Sequence, residues 1–249
     1  IVIKRILVSQ PQPTSEKSPY FDIAKNYDVE IVFRPFIKVE GLTSKEFRQQ
    51  KISILDYTAV IFTARTAIDH YFRLCEEMRI EVPDTMKYFC VSETVAHYLQ
   101  KYIVYRKRKI FFTETNKIED LIPTLEKHKK ETFLLPISNV HNLKEAALEN
   151  VDIRLTRAIM YRTVSNDFAP DERFDFDTLI FFTPAGINSL MSNFPNFVQG
   201  DIKIGCMGTS TKKAIENAGL RLDFEPTPDC PSITGALENI IKKENKKKK

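Results

Sequence analysis

The sequence has no tryptophan and only seven glycines in 249 residues. Neither a GxxxxGK(S/T) nor a GxGxxG pattern occurs, which argues against P-loop and dinucleotide-binding enzymes. A GxSxG motif is also missing, which argues against a serine hydrolase of the α/β type. No apolar run is as long as a transmembrane helix, and no secretory signal pattern is present. We therefore expect a cytoplasmic protein that makes no membrane contact.

The chain has only four cysteines and four histidines. The cysteines are too dispersed for a zinc site and too few for a disulfide framework. The histidines show neither HxxxH nor HExxH spacing, so we predict no metal site. Two cysteines, Cys90 and Cys206, end apolar runs, and we expect them to be buried thiols in a reducing compartment.

The formal charge of +4 is dominated by the end of the sequence, where the last eight residues read KKENKKKK. Six lysines and one glutamate give this segment a charge of +5, so the remainder carries about −1. A terminal lysine run is most often a solvated tail. Nucleic-acid binding calls for a basic face on the folded part. The sequence shows none, and we expect no nucleic-acid partner.

Short apolar runs alternate with segments of helical length along the whole chain. The runs are rich in β-branched and aromatic residues without a regular apolar and polar alternation, which is typical of strands buried on both faces of a parallel sheet. They are IKRILVS, VEIVFRPF, AVIFT, KYFCVS, KIFFT, TFLLPIS, LTRAIMYRTV, TLIFFT, IKIGCMG and LRLDFEP. This alternation predicts an α/β fold with doubly wound, flavodoxin-like sheets.

The sequence contains an internal repeat. The segment DYTAVIFTARTAIDHYFRL (56–74) resembles FDFDTLIFFTPAGINSLMSNF (174–194). Each is followed by a second matching unit, KYFCVSETVAHYL from Lys87 and KIGCMGTSTKKAI from Lys203. The period is too long for a solenoid, so the repeat predicts two similar α/β lobes.

The order of the runs suggests how the lobes are assembled. The simplest arrangement forms one discontinuous lobe from residues 1–36 plus 168–249 and inserts residues 42–164 as the other. Two extended stretches, 33–40 and 158–166, then bridge the lobes as a two-strand linker that acts as a hinge. Open α/β sheets bind ligands at the carboxyl ends of their strands, so we expect a cleft lined by those ends.

Four turns in paired positions of the repeat follow a predicted strand and precede a predicted helix. Their hydroxyls can cap the helices structurally, or the hydroxyls and the first N–H groups can face an anionic ligand. Their recurrence favours the second interpretation without identifying the anion. The turns are Thr63-Ala64-Arg65, Ser92-Glu93-Thr94, Thr183-Pro184-Ala185-Gly186 and Gly208-Thr209-Ser210-Thr211.

Taken together, these motifs resemble the uroporphyrinogen-III synthase family over almost the whole chain. Tyr161 falls on the family's linker tyrosine. Two departures are that Ser9-Gln10-Pro11-Gln12 replaces the Thr-Arg usual after the first strand, and that Ser92 stands in place of a glycine. The segments that carry the resemblance are DYTAVIFTARTAI, FCVSETVAHYL, LLPIS, AIMYRTV, LIFFTPAGINSL, CMGTSTKKAIENAGL and PTPDCPSITGALENI.

The resemblance implies a cofactor-free lyase that cyclises hydroxymethylbilane, a linear tetrapyrrole with eight carboxylates, to uroporphyrinogen III. Loss of the substrate hydroxyl as water leaves a cation, and the terminal D ring is inverted through a spiro intermediate. The resemblance makes Tyr161 the candidate to assist hydroxyl departure. It makes Ser138 and the four turns candidates for carboxylate binding, with Arg65, Arg162, Lys212 and Lys213 as cations at the rim. It also implies a monomer that contacts the preceding deaminase only transiently.

Two other classes fit parts of the pattern. A non-catalytic, two-lobed ligand-binding protein or sensor would show the same architecture and repeat. A nucleic-acid-associated protein would use the lysine tail, and its binding would then be salt-sensitive and lost with the last eight residues.

Overall fold

The computed structural model describes residues 2–140 and 143–246. Lys247–Lys249, the last residues of the predicted tail, lie outside the described residues. The chain divides into two compact units. The discontinuous unit takes the described residues up to Lys38 and those from Val164 onward, and the continuous unit is Val39–Thr163.

Strands and helices alternate along the chain, as the pattern of apolar runs predicts. The strands are β1 (Arg5–Val8), β2 (Glu30–Phe33), β3 (Ile37–Gly41), β4 (Ala59–Phe62), β5 (Lys87–Cys90), β6 (Ile110–Phe112), β7 (Thr132–Ser138), β8 (Arg154–Ser165), β9 (Thr178–Phe181) and β10 (Lys203–Cys206). The helices are α1 (Pro19–Tyr27), α2 (Ser44–Arg48), α3 (Arg65–Glu77), α4 (Glu93–Tyr98), α5 (Ile118–Lys127), α6 (Leu143–Ala146), α7 (Pro184–Asn193), α8 (Thr209–Asn217) and α9 (Ile233–Lys246). No helix among the described residues is both long and apolar enough to cross a membrane.

The sheet of the discontinuous unit has the order β10-β9-β1-β2, and all its neighbours are parallel. Successive residues of β1 point to opposite faces. Ile6 and Val8 join a core cluster with α1 and α9, whereas Leu7 joins a cluster with α7 and α8. Both faces are covered by helices, which explains why the run is apolar without alternation.

The predicted strand LRLDFEP is reduced to a single bridge between Phe224 and Gly205. The Asp223 carboxylate accepts the Ile204 N–H at 2.9 Å, so a side chain replaces part of a strand ladder. The Phe224 ring occupies the space above Gly205, where an added Cβ would lie 2.2 Å from the ring. The expectation of a full strand at 220–226 was therefore wrong.

The sheet of the continuous unit has the order β3-β8-β7-β4-β5-β6. Strands β8, β7, β4, β5 and β6 run parallel to one another. Their side chains form one large core, in which Val60, Ile61 and Phe133 are fully buried. The predicted α/β class with parallel sheets is confirmed.

Each sheet has a point where the direction of strand addition reverses. In the discontinuous unit β2 is added on one side of β1, and β9 followed by β10 on the other. In the continuous unit β5 and β6 follow β4 on one side, and β7 and β8 are added on the other. Adjacent loops diverge at such a switch point and leave a crevice outside the carboxyl ends of the strands. Ligand sites are therefore expected at the β1/β9 and β4/β7 ends.

Candidate functional site

At the β4/β7 switch point, α3 begins without a side-chain cap. Its N-cap residue is Ala64, which makes no side-chain hydrogen bond, and the preceding Thr63 is buried at the end of β4. Arg65 is the first helical residue and is exposed. The free N–H groups of a first turn and the helix dipole favour a negative charge. This helix terminus is therefore open to an anionic ligand.

The next turn along the same edge has a structural role. The Ser92 hydroxyl accepts the Val95 N–H at 3.3 Å and caps α4. Glu93 and Thr94 are exposed, and Glu93 lies 3.8 Å from His97. For Ser92 the geometry fits the capping interpretation, although β5 places it beside the α3 terminus.

Ser138 and Tyr161 come together on neighbouring strands. They are paired across β7 and β8 at a bulge that follows Ile137. The Asn139 side-chain oxygen accepts a hydrogen bond from the Ser138 hydroxyl at 3.2 Å and one from the Thr163 N–H at 3.0 Å. These bonds fix the end of β7 against β8. Because β7 adjoins β4, both side chains belong to the carboxyl edge that carries Thr63.

Tyr161 is buried, with 8% of its surface exposed. Burial, reinforced by the charge of Glu145, raises the pKa of its phenol to about 12. Among the described residues no group hydrogen-bonds the hydroxyl. Tyr161 therefore remains neutral at physiological pH.

Glu145 of α6 lines a cavity of about 170 Å³ with Ser138 and Arg157. Only 5% of its surface is exposed, and burial raises the pKa of its carboxyl to about 7, against an opposing effect of the Arg157 charge. Arg157 donates to the Glu145 backbone carbonyl at 3.3 Å. At the edge of the site, Glu145 thus changes its charge near neutral pH.

Replacing Glu145 by glutamine is expected to stabilise the protein at pH 8 and not at pH 4. The folded pKa lies above the usual value near 4.5, so both states are mostly protonated at pH 4. The penalty of ionising the buried group is complete only above pH 7. The gain at pH 8 should be on the order of 2 kcal/mol. Urea unfolding at both pH values measures it, with the exposed Glu149→Gln as the control. Equal stability of wild type and Glu145→Gln at pH 8 would contradict this account.

At the β1/β9 switch point, Thr183 caps α7. Its hydroxyl accepts the Gly186 N–H at 3.1 Å. Pro184, Ala185 and Gly186 form the first turn of α7 and not a turn before it, since proline fits the start of a helix. A Cβ at Gly186 would approach Phe181 at 3.3 Å. Thr183 therefore has the capping role.

The neighbouring turn uses glycine in place of a cap. Gly208 has φ +98°, a conformation that side chains rarely adopt, and α8 begins without a side-chain cap. Thr209 and Ser210 are exposed in its first turn, while Thr211 is buried. Of the four turns, those that start α3 and α8 thus leave first-turn N–H groups uncapped by a side chain.

A cavity of about 360 Å³ lies at the β1/β9 switch point. It includes Thr183 and Gly186 together with Ser9, Gln10 and Pro11, the turn that departs from the family pattern. That turn is therefore part of the candidate site. The same cavity is lined by two polar residues that the sequence did not single out, Lys38 and Asn166. Their only signal was their place in the bridging stretches 33–40 and 158–166.

Residues 20–234 match the model of the family described as uroporphyrinogen-III synthase HemD. The chain belongs to the uroporphyrinogen-III synthase family. This family is an enzyme family that cyclises hydroxymethylbilane, and membership supports that activity here. A search of curated proteins finds no match to this chain.

Solved structures of family members are similar to this chain at low identity. Uroporphyrinogen-III synthetase from Helicobacter pylori is 14% identical, covers 96% of this chain and 99% of its own, and has a TM-score of 0.60. A mutant uroporphyrinogen III synthase from Thermus thermophilus is also 14% identical, covers 98% and 99%, and has a TM-score of 0.49. The Helicobacter pylori structure shows that this chain has the fold of a uroporphyrinogen-III synthase.

The rim cations expected for a uroporphyrinogen-III synthase are mostly engaged. Arg162 pairs with Glu46 and lies 3.8 Å from Glu40, and Lys212 pairs with Glu225 at 2.8 Å. The Arg65 guanidinium lies over the Tyr98 ring, 5.6 Å from its centroid, and Lys213 is exposed. A substrate carboxylate would have to compete with existing partners at Arg162 and Lys212.

Proposed function

We propose that this chain is the enzyme that converts hydroxymethylbilane to uroporphyrinogen III, with loss of water and inversion of the terminal D ring, in tetrapyrrole and haem biosynthesis. The observation that carries the proposal is the family match over residues 20–234. The fold adds support, because in each sheet two turns of the repeat follow neighbouring strands, β4 and β5 or β9 and β10, and the first turn of each pair lies at the switch point. Without enzyme, the unsubstituted position of the terminal ring attacks and gives the type I isomer, so the protein must impose a geometry on a flexible substrate.

Carboxylate binding is assigned to the turns at the two carboxyl edges. The uncapped first turns of α3 and α8 offer N–H donors, and charge-assisted hydrogen bonds to carboxylates are among the stronger ones. Lys38 adds a positive charge at the β1/β9 cavity. Holding reacting groups in a productive orientation can contribute roughly 7–11 kcal/mol, and substrate folding by these contacts is the main source of catalysis in this proposal.

Tyr161 assists the departure of the substrate hydroxyl. Its neutral phenol gives its proton to the oxygen as the carbon–oxygen bond breaks, so the oxygen leaves as water. The substrate releases one proton on ring closure, and that proton restores the phenol. The buried position and the lack of a hydrogen-bond partner among the described residues support this role. No cofactor is required, because the leaving water and the new carbon–carbon bond come from the substrate itself.

The setting of the enzyme is also part of the proposal. We take it to be a cytoplasmic monomer that meets the preceding deaminase transiently. Three of its free cysteines, Cys75, Cys90 and Cys206, are buried thiols, which suits a reducing compartment. The division into lobes 1–36 plus 168–249 and 42–164 is supported by the two compact units.

A coupled assay tests the function directly. Porphobilinogen and its deaminase generate hydroxymethylbilane in place, this protein is added, and the oxidised products are separated by isomer. We expect mostly type III product, and only type I product with heat-inactivated protein. A folded sample that yields only type I product would refute the synthase and favour the ligand-binding alternative.

A further inference from the structure

Tyr161 is stacked on a histidine that the proposed chemistry does not use. His70 of α3 and Tyr161 of β8 have ring centroids 5.1 Å apart and an interplanar angle of 19°. Such offset aromatic pairs contribute beyond the area that they bury. The stack covers one face of the phenol and limits rotation of its ring.

The His70 ring is itself held in one orientation. Arg73, one turn later on α3, donates from Nε to His70 Nδ1 at 3.1 Å. Nδ1 is therefore the acceptor, and the neutral ring carries its proton on Nε2. Burial lowers the pKa of His70, and the Arg73 charge lowers it further against an opposing effect of Asp69. At neutral pH the histidine is an uncharged platform for Tyr161.

Arg73 is anchored at three further points. It pairs with Glu77 at 2.9 Å and donates to the backbone carbonyl of Met160, the residue before Tyr161, at 3.4 Å. Its guanidinium also fills the space beside Gly41 of β3, where an added Cβ would lie 2.5 Å from Nη2. One arginine thus fixes both the histidine ring and the strand that carries Tyr161.

We propose that His70 is a positioning residue for Tyr161, held in place by Arg73, and that it aims the phenol at the departing hydroxyl of the substrate. The inference rests on the proposed function of Tyr161. A positioning residue is needed because, among the described residues, no hydrogen bond holds the Tyr161 hydroxyl. A catalytic group must be held to within a fraction of an ångström, since small misplacements are costly in rate. Ring stacking is the restraint that the structure provides.

The test compares His70→Ala, which removes the stack, with His70→Phe, which keeps a flat ring. We expect His70→Ala to lower kcat about 10-fold at unchanged KM, because a misplaced phenol weakens the step and not substrate binding. His70→Phe should restore most of kcat. In the Tyr161→Phe background His70→Ala should have no further effect on kcat, since the group that it positions is gone.

His128→Ala is the matched control, because His128 packs on Phe89 and Phe111 at 5.2 and 4.6 Å in the same unit but away from Tyr161. His128→Ala should lower the free energy of unfolding and leave kcat per folded molecule unchanged. Wild-type kcat in His70→Ala, or an equal loss in the Tyr161→Phe background, would overturn the inference.

A second readout does not depend on activity. Ionisation of the Tyr161 phenol is measured by tyrosine absorbance during a pH titration. The spectrum of each protein is compared with that of the same protein carrying Tyr161→Phe, and the absence of tryptophan simplifies these spectra. We expect the Tyr161 pKa to fall in His70→Ala as the ring becomes exposed, and to stay high in His70→Phe. An unchanged pKa in His70→Ala would overturn the inference. If wild type made no type III product, the proposed function would fail, and this titration alone would decide whether His70 holds the ring.

Discussion

Replacing Tyr161 by phenylalanine is expected to lower kcat about 100-fold, a loss typical of a positioned proton donor. The same substitution should change the free energy of unfolding by less than about 1 kcal/mol. The hydroxyl makes no hydrogen bond within the described residues, so its removal breaks none there. The ring keeps its buried place and its stack on His70. Activity is measured with hydroxymethylbilane generated in place, and stability by urea unfolding of the same samples.

Tyr20 is a close control for this substitution. It is buried to the same degree, at 7% exposed, its hydroxyl has no partner among the described residues, and burial raises its pKa to about 12 as well. It lies on α1, packed against Phe33, and does not line the β1/β9 cavity. Tyr20→Phe should therefore leave kcat unchanged. If Tyr161→Phe were as active as Tyr20→Phe at equal folded fraction, Tyr161 would have no part in the reaction.

The raised pKa also fixes the sign of the pH dependence. A phenol with a folded pKa near 12 stays protonated across the neutral range, so Tyr161 itself should cause no fall in kcat between pH 7 and 9. Its contribution to stability is complete below the usual tyrosine pKa of about 10 and is lost as the pH rises through 12. Tyr161→Phe should therefore unfold at a higher pH than wild type in alkaline titrations.

Much of the fold could be predicted from the sequence because its strands are short apolar runs followed by small, hydroxyl-rich turns. The limit of that reasoning is seen at 220–226. This run has the composition of a strand, yet only Phe224 forms a bridge, with its ring over Gly205, and the Asp223 carboxylate accepts the Ile204 N–H in place of a strand partner. Helix α1 is also hard to predict, since Pro19–Tyr27 has no apolar stripe as regular as that of α3. Local pattern cannot report which side chain occupies a gap in tertiary packing.

The candidate site also has residues that the sequence predicts and residues that it does not. Tyr161 and the four turns could be found from the repeat and the family resemblance, because their chemistry is local to a strand end. His70 could not, because its role depends on stacking across 91 positions of sequence. Lys38 and Asn166, from two separate stretches of the chain, reach one cavity only in the tertiary structure. The sequence likewise left open whether the Ser92 and Thr183 hydroxyls cap a helix or bind a ligand. The structure shows that each accepts a backbone N–H of the helix that follows it.

The backbone of the β1/β9 cavity depends on one arginine. Arg34, which follows β2, donates to the carbonyls of Pro35 and Asn166 at 2.7 and 2.8 Å, and both residues line the cavity. Its Nε donates to Glu172 at 2.7 Å, and its guanidinium lies 3.6 Å from the centroid of the Phe168 ring. The planar guanidinium of arginine can donate to the carbonyls and the carboxylate at once while it stacks on the ring, and a lysine cannot.

Arg34→Ala should therefore lower the free energy of unfolding by about 3 kcal/mol, since it leaves partly buried acceptors without a donor and removes the charge opposite Glu172. Arg34→Lys should recover part of the loss, because a lysine keeps the charge but cannot reach both carbonyls and the carboxylate. Urea unfolding measures both. The exposed Arg173, which pairs with Asp175, is the control, and Arg173→Ala should cost less than about 1 kcal/mol. A similar small loss in Arg34→Ala would show that the cavity backbone is held by other contacts.

The dependence of protein stability on acidic pH separates the charge of the Arg34–Glu172 pair from the packing of Arg34. The hydrogen bond from Arg34 holds the pKa of the Glu172 carboxyl below its usual value. The contribution of the carboxylate to stability is thus present above that usual value and is lost as the pH falls through the folded pKa. The difference between wild type and Arg34→Ala should shrink toward pH 3 but not vanish, because the carbonyl bonds and the Phe168 contact do not titrate. A difference that disappeared in acid would assign the whole effect to the ion pair.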